Sequence, residues 1–198
     1  MWLSLPGVAS DALQRALRDG GGELNLRPLP ATAEELLLEL DAPPRLAAHL
    51  RAVHDVAVQL VDWFEASHMT VDRATAELGA ALHDVGKARH PAELYGPGSA
   101  HEADGYRLLL DRGFPDELAR LVRDHAHWAA ESTMESLVVS LADKVWKDKR
   151  VEDLEQIVVE RVAAANGRPR WEVFAAVDDH LTAIGRHAVQ RLAFQNSF

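Results

Sequence analysis

The sequence contains a histidine–aspartate pair, His83-Asp84, at the end of an apolar run and directly before a valine, a glycine and a lysine. His54 precedes the pair, and Asp143 follows it within another apolar stretch. Helical periodicity places all four within or beside stripes that face a core. Because a buried carboxylate is costly unless it is paired or bound to a cation, two buried aspartates among histidines favour a metal site.

The types of these side chains indicate which metals are suitable. Imidazole and carboxylate groups bind Mn, Fe, Ni, Co or Zn, and Mg is also suitable. The chain has no cysteine, which disfavours metals that prefer thiolates. Taken singly, each residue has an ordinary explanation as a satisfied core histidine or a capping aspartate. The four together, in this order, are better explained as ligands of a divalent ion.

The elements that must position these residues are helices. Alanine, leucine, glutamate and arginine are abundant, apolar residues recur at spacings of three and four, and no period-2 strand pattern stands out. Breaking and capping signals predict an all-α bundle of about eight helices. Predicted helices cover 8–19 and 32–40, begin at Pro43, Thr70, Ser99 and Pro115, surround Asp143, and end the chain with 151–165 and 169–193.

The length of 198 residues fits one domain with a sizeable core, or two very small domains. We predict a single domain over 1–198, in which N-terminal helices within 1–42 and C-terminal helices within 151–193 pack on the central part. The last two helices either cover the bundle or form the face of a homodimer.

The composition limits the partners. A formal net charge of −10 argues against a broad nucleic-acid-binding surface, although a local basic patch could hold one phosphorylated end. No stretch approaches the roughly 20 apolar residues of a membrane span, and the first ten residues lack the features of a signal peptide. We therefore expect a cytoplasmic protein with no membrane contact.

The order of His54, His83-Asp84 and Asp143 resembles the pattern H…HD…D that defines the HD-domain superfamily of metal-dependent phosphohydrolases. The resemblance is strongest in LHDVGK and in the ADK around Asp143, and it covers about residues 45–165. It implies an all-α HD fold. It also implies that a first divalent ion is held by His54, His83, Asp84 and Asp143.

Two further histidines extend the resemblance to superfamily members that hold two metal ions. His101 follows the loop after the pair, and His125 lies near the end of the next helix. The resemblance implies that both hold a second ion and that Asp84 bridges the two. The alternative is that both are surface histidines at helix ends. His127 is a rival for His125, but it points about 200° away on a helix, and we favour His125.

Basic residues near these positions favour phosphate binding. Lys87 lies one turn beyond the pair, so its ammonium could bind a phosphoryl oxygen, and Asp84 and Lys87 are the catalytic candidates. Alternatively, Lys87 only complements the helix dipole. A second basic group, either a phosphate clamp or a solvated helix end, consists of Lys144, Lys147 and Arg150. The remaining histidines, His49 among them, are expected to be surface or packing residues.

The resemblance implies hydrolysis of a phosphate ester by a metal-activated water. Lys87 stands where related deoxynucleotide 5′-nucleotidases carry glutamate, and LADKVWKDKRVEDLE, HPAEL and HAHW are similar to the phosphohydrolase module of bacterial RNA end-healing enzymes. The expected substrates are therefore phosphorylated small molecules, nucleotides, or RNA ends with 2′-, 3′- or 2′,3′-cyclic phosphates. Two alternatives stay open: an inactive HD protein that binds nucleotide or metal, and an HD-type di-iron oxygenase.

Overall fold

Helices form all the regular secondary structure in the part of the chain that the structure describes. The computed structural model describes residues 10–19 and 21–198, which contain ten α-helices, three short 3-10 helices and no β-strand. The predicted all-α fold is confirmed. The first two residues of the helix predicted over 8–19 lie outside the described residues. The helices are α1 (Asp11–Arg18), α2 (Ala31–Glu39), α3 (Pro44–Ala66), α4 (Arg73–Leu82), α5 (Ala100–Asp111), α6 (Asp116–Asp124), α7 (Met134–Val145), α8 (Glu152–Asn166), α9 (Arg170–Gly185) and α10 (Ala188–Asn196).

The number of helices exceeds the prediction partly because the segment predicted as one helix over 169–193 is broken. Helix α9 ends at Gly185, and α10 begins at Ala188. The buried Arg191 donates hydrogen bonds to the carbonyl oxygens of Ile184 at 2.6 Å and Trp146 at 2.7 Å. The bond to Ile184 supplements the one that its carbonyl accepts from the backbone N–H of His187, and the two bonds of Arg191 hold α10 against the ends of α9 and α7.

Helix α3 is the central element of the fold. Pro44 occupies its first turn, where the missing N–H costs nothing, and the helix runs for 23 residues. It packs against α1, α4, α7 and α10, and sixteen of its residues are buried. A helix buried on most of its sides does not show from apolar periodicity alone which side faces a given neighbour.

Two clusters of buried apolar side chains meet along α3. One is built mainly from the C-terminal half of α3 with α4, α7, α8 and α9, and the other from its N-terminal half with α1, α2 and α5. Among the described residues, no helix has both the length and the apolar character that a membrane span requires. The assignment of all 198 residues to one domain stays a prediction.

A buried arginine fixes the rotation of α3. The guanidinium of Arg51 donates to the carbonyl oxygens of Ala16 at 3.0 Å and Leu26 at 3.1 Å, which joins α3 to the end of α1. His49 lies two residues earlier, about 160° away around the helix. Since Arg51 faces α1, His49 is turned to the opposite side, towards α4 and α7.

Candidate metal centre

Six buried side chains from separate parts of the chain converge beside α3. Their residues are at most 8 % exposed. They come from five places in the chain: α3, the two residues that follow α4, the first turn of α5, the residue after α6, and α7. We call this group the histidine–aspartate cluster, and it consists of His49, His83, Asp84, His101, His125 and Asp143.

One oxygen of Asp84 faces the α3 side of the cluster. Its Oδ2 lies 3.1 Å from His49 Nε2 and 3.5 Å from His83 Nε2. Asp143 completes this group, because its Oδ1 lies 3.5 Å from His83 Nε2 and 4.0 Å from His49 Nε2. Two imidazole nitrogens and two carboxylate oxygens therefore surround one small region.

The other oxygen of Asp84 faces the α5 side. Its Oδ1 lies 3.0 Å from His101 Nε2 and 3.6 Å from His125 Nε2. Glu102 also offers an oxygen within 4.8 Å of ligand nitrogens on His101 and His125, although the sequence analysis did not select it. The carboxylate of Asp84 is thus shared between two groups of possible ligands, as a bridge between two cations requires.

Backbone hydrogen bonds fix how two of the histidines present their rings. His83 Nδ1 donates to the carbonyl of Ala80 at 2.8 Å, and His125 Nδ1 donates to the carbonyl of Val122 at 2.7 Å. Because a carbonyl oxygen can only accept, Nδ1 carries the proton in both rings. The lone pair of Nε2 is then directed into the cluster, which is how proteins hold histidine as a metal ligand.

Unpaired polar atoms in the cluster fit a bound cation. Asp84 Oδ1 and His101 Nε2 are buried and, among the described residues, neither has an aligned hydrogen-bond partner, although they lie 3.0 Å apart. The Nε2 atoms of His49 and His83 lie only 3.3 Å apart. Burying such groups without partners is costly, and a divalent ion would satisfy them together. The nitrogen and oxygen donors suit first-row transition metals.

The electrostatics favour the protonation states that metal binding needs at four of the six cluster residues, whereas at His101 burial is outweighed by Asp84 and Glu93, which together raise the pKa of the ring. Burial is the strongest single influence on Asp84 and Asp143 and opposes their ionisation, but their neighbours together outweigh it and hold the pKa of both carboxyls below their usual range. These neighbours are His83, His101 and His49 for Asp84, and His83 and Lys144 for Asp143. Burial lowers the pKa of His49, and burial together with His83 lowers the pKa of His125 to about 4. Ionised carboxylates and neutral imidazoles are the forms that bind metal.

The structure corrects the choice of His54. It lies five residues after His49 on α3, about 140° away around the helix. The charged groups that act on it are Asp55, Arg27 and Arg51, on the side that faces α1, and no cluster residue is among them. Neither ring nitrogen has a hydrogen-bond partner among the described residues. His49, which the sequence analysis assigned to the surface or to packing, takes the place predicted for His54.

The unpaired imidazole of His54 makes stability depend on pH. Burial lowers its pKa from 6.5 to about 4, so between these values the unfolded chain takes up a proton that the folded chain does not. Its contribution to the free energy of unfolding is complete above pH 6.5 and falls by about 2 kcal/mol between pH 7 and pH 5. Urea unfolding of His54→Leu should lack this part of the decline. A decline as steep as that of the unmodified protein would contradict it.

The exposure of the two neighbouring histidines distinguishes His125 from His127. His125 is 5 % exposed and its Nε2 lies in the cluster, whereas His127 is exposed and makes no contact there among the described residues. The structure thus brings His125 to the site, together with His83, Asp84, His101 and Asp143 as the sequence predicted.

Two of the predicted phosphate-binding lysines lie at the cluster. Lys87 Nζ is 2.6 Å from Asp84 Oδ2, and Lys144 Nζ is 2.6 Å from Asp143 Oδ2. Their side chains are 19 % and 15 % exposed, respectively. Both ammonium groups therefore sit between the cluster and solvent.

The other two basic residues predicted to bind substrate, Lys147 and Arg150, make no ion pair with a cluster residue among the described residues. Lys147 is exposed, and its Nζ lies 5.6 Å from the ring centroid of Trp146, whose ring contacts His49 edge-on. Arg150 forms ion pairs with Glu155 at 2.7 Å and Asp178 at 2.8 Å, which connect α8 and α9. The guanidinium of Arg150 is thus engaged between two helices, and its role in substrate binding stays a prediction.

Comparison with known proteins identifies the family. The model of the HD domain family matches residues 46–148, a range that contains the whole cluster. The chain is 34 % identical to the multifunctional CCA protein of Methylococcus capsulatus over 181 residues, 85 % of this chain and 40 % of that protein. It is 33 % identical to ribonuclease Y of Rubrobacter xylanophilus over 93 residues, 46 % of this chain and 17 % of that protein.

The family match covers the site, whereas the two relatives are much longer than this chain. The chain spans less than half the length of either relative. No solved structure matches it. The family match covers more than half of the chain and includes every cluster residue. The chain therefore belongs to the HD domain family, whose members are in general metal-dependent phosphohydrolases.

Proposed function

We propose that this protein is a divalent-metal-dependent phosphohydrolase that acts on nucleotides or on RNA ends carrying 2′-, 3′- or 2′,3′-cyclic phosphates. The observation that carries the proposal is the division of the Asp84 carboxylate, whose two oxygens face two separate groups of histidines. A carboxylate placed in this way is typical of sites that hold two ions on one phosphate. RNA as the substrate is supported by the names of the relatives, a CCA protein and a ribonuclease.

The ligands of the two ions follow from the two sides of the cluster. The first ion would be held by His49, His83, Asp143 and one oxygen of Asp84. The second would be held by His101, His125 and the other oxygen of Asp84, with Glu102 as a further candidate. When bound, Mn, Fe, Co, Ni or Zn supplies a Lewis acid that lowers the pKa of water and neutralises phosphoryl oxygens.

Lys87 and Lys144, which form ion pairs with the cluster residues Asp84 and Asp143, provide the contacts to the phosphate. Each ammonium lies 2.6 Å from a predicted ligand carboxylate, at the side of the cluster open to solvent. A phosphate held at the cluster is within reach of both Lys87 and Lys144. We infer that they bind its non-bridging oxygens and so orient the phosphorus atom towards the attacking water.

Arg45 is a further candidate contact for the nucleotide. It lies one turn before His49 on α3, so both side chains lie on the same side of the helix. Its guanidinium is 5.3 Å from the ring centroid of Tyr95, which is 76 % exposed. No hydrogen bond or ion pair engages Arg45 among the described residues. A free guanidinium beside an exposed aromatic ring suits a phosphate and a stacked base.

The test is hydrolysis of p-nitrophenyl phosphate and bis-p-nitrophenyl phosphate by the metal-free chain supplemented with Mn, Ni or Co. Asp84→Asn should reduce the rate at least about 1,000-fold, equivalent to about 4 kcal/mol of transition-state stabilisation. The reason is that both ligand groups lose their shared charge. RNA oligonucleotides ending in 3′- or 2′,3′-cyclic phosphate then identify the natural bond.

A matched control is Asp111→Asn, because Asp111 is an exposed aspartate at the end of α5. This variant should keep the activity of the unmodified protein. Full activity of Asp84→Asn would contradict the proposal. Nucleotide binding without turnover of any phosphoester would favour the inactive alternative, and oxygen-dependent turnover with bound iron would favour the oxygenase.

A further inference from the structure

A glutamate outside the cluster holds one of its histidines. Glu93 lies in a short 3-10 helix, Pro91–Leu94, within the loop that leads to α5. Its Oε2 accepts a hydrogen bond from His101 Nδ1 at 2.5 Å. The same carboxylate accepts from the backbone N–H groups of Ala100 at 3.2 Å and His101 at 3.3 Å. Glu93 thus binds both the ring and the backbone of His101.

This carboxylate also replaces the cap expected for α5. Ser99 occupies the N-cap position and has capping-box spacing with Glu102, but its side chain accepts no capping hydrogen bond. Glu93 satisfies two of the N–H groups that would otherwise be unpaired at the start of the helix. The start of α5 and the orientation of the His101 ring therefore depend on the same side chain.

His101 differs in this respect from the two histidines whose rings are held by backbone carbonyls. His83 and His125 are bonded to residues three positions earlier in their own segments, so local chain geometry fixes them. His101 depends on a side chain eight residues away in sequence. A carboxylate on Nδ1 fixes the tautomer of a ligand histidine, orients its ring and raises the basicity of Nε2.

Gly98 leaves the space through which Glu93 reaches His101. A Cβ atom at this position would lie 2.5 to 2.6 Å from Cγ, Cδ and Oε1 of Glu93. The backbone of Gly98 is not in the left-handed region, so other residues could adopt its conformation. Space for the Glu93 side chain, not backbone freedom, is therefore the requirement for glycine here.

We propose that Glu93 is a positioning residue for the second ion, and that its bond to His101 determines whether the chain binds two divalent ions or one. The proposal rests on the proposed function only in treating the cluster as a divalent-metal site. With Glu93 in place, His101 Nε2 lies 3.0 Å from Asp84 Oδ1. Without it, the ring is free to rotate and the second group loses a fixed donor, while the first group keeps all of its own.

The experiment titrates the metal-free full chain with Mn²⁺ and measures the number of ions and their affinities by calorimetry and elemental analysis. The unmodified protein should bind two ions. In Glu93→Ala the second ion should bind at least about 10-fold more weakly, with the first unchanged. Glu93→Gln, which keeps an acceptor oxygen without the charge, should fall between. Gly98→Ala should weaken the second ion although Glu93 and all the ligands are present.

The matched control is Asp104→Asn. Asp104 pairs with His90 Nε2 at 2.6 Å, so it also connects α5 to the preceding loop through a carboxylate–histidine contact, but it lies outside the cluster. This variant should bind both ions as the unmodified protein does. Circular dichroism checks that each variant is folded. If Glu93→Ala does not fold, Glu93→Gln and Gly98→Ala test the proposal in its place.

Several outcomes would overturn the proposal. One is that the unmodified protein binds a single ion, and another is that Glu93→Ala and Gly98→Ala bind two ions with unchanged affinity. The proposal also fails if Glu93→Ala weakens the binding of both ions equally, or if Asp104→Asn weakens the second ion as much as Glu93→Ala does. Because metal binding is measured without substrate, failure of the proposed function has a different signature. In that case two ions bind and Glu93→Ala loses the second, but no phosphoester is hydrolysed.

Discussion

Replacing His49 by leucine is expected to reduce phosphoester hydrolysis at least about 1,000-fold, or about 4 kcal/mol in the barrier. His49 Nε2 lies 3.1 Å from Asp84 and 3.3 Å from His83 Nε2, so its loss removes a nitrogen donor from the first ion and leaves an apolar group beside ionised carboxylates. The same replacement at His54 should leave kcat/KM within about threefold, because that ring contacts no cluster residue.

The two variants form a matched pair. Both histidines are buried on α3, at 8 % and 3 % exposure, and both receive the same side chain. Steady-state kinetics with added Mn²⁺, together with the number of bound ions, measures the difference. A loss of activity in His54→Leu equal to that in His49→Leu would contradict the assignment of His49 alone to the metal.

Replacing Gly86 by alanine is expected to lower the free energy of unfolding by about 3 kcal/mol and Tm by roughly 10 °C. Gly86 packs against the first turn of α5, where a Cβ atom would overlap the carbonyl oxygen of His101 and lie 2.8 Å from the backbone N of Gly105. The obstacle is backbone, which cannot rotate away as a side chain can. To make room, α5 must move and carry His101 away from Asp84, so binding of the second ion should weaken as well.

Gly96→Ala is the control for this change. Gly96 lies in the loop that follows, has no positive φ, and its added Cβ would meet only the carbonyl oxygen of Ala92 at 3.8 Å. The free energy of unfolding of the Gly96→Ala protein should differ from that of the unmodified protein by less than about 1 kcal/mol. Thermal unfolding of the metal-free proteins measures the first effect, and Mn²⁺ titration measures the second. A Gly86→Ala protein with unchanged Tm and two bound ions would contradict the expected overlap.

Much of the fold follows from local signals in the sequence. Helix α3 begins at Pro44, one residue after the predicted Pro43, Thr133 caps α7, and Gly113 lies beyond the end of α5. These features depend on neighbouring residues, and so the chain alone reveals them. The break between α9 and α10 could not be predicted, because it is stabilised by the bond of Arg191 to Trp146, 45 residues earlier in the chain.

In the candidate site too, local sequence signals identify some residues, and contacts between distant segments decide the others. His83 and Asp84 form a pair at the end of α4, and residue type and spacing were enough to select them. The choice of His54 over His49 failed because α3 is buried on most sides, so an apolar neighbourhood marks both histidines equally. The one sequence signal that separates them is Arg51, a charged residue inside an apolar helix. It lies about 60° from His54 and about 160° from His49 around α3.

The remaining site residues depend on contacts between distant segments. The bond of Glu93 to the ring of His101 could not be predicted, because nothing in the surrounding sequence indicates it. Arg150 was selected for the positive charge of its segment, but its partners Glu155 and Asp178 lie on two later helices. A charge pattern gives the sign of a segment, whereas only the fold shows whether an opposite charge already neutralises it.

The ion pairs of Lys87 with Asp84 and of Lys144 with Asp143 have a consequence for the order of folding and metal uptake. Two buried carboxylates would repel each other in a metal-free chain, but here each has an internal counterion. The protein can therefore fold first and acquire its ions afterwards. An arriving cation would replace the two ammonium groups as the partner of these carboxylates, instead of entering a site with uncompensated negative charge. Metal uptake and the release of the lysines that we propose to bind phosphate would then be a single coupled event, so that the affinity for phosphate would increase only once metal has bound.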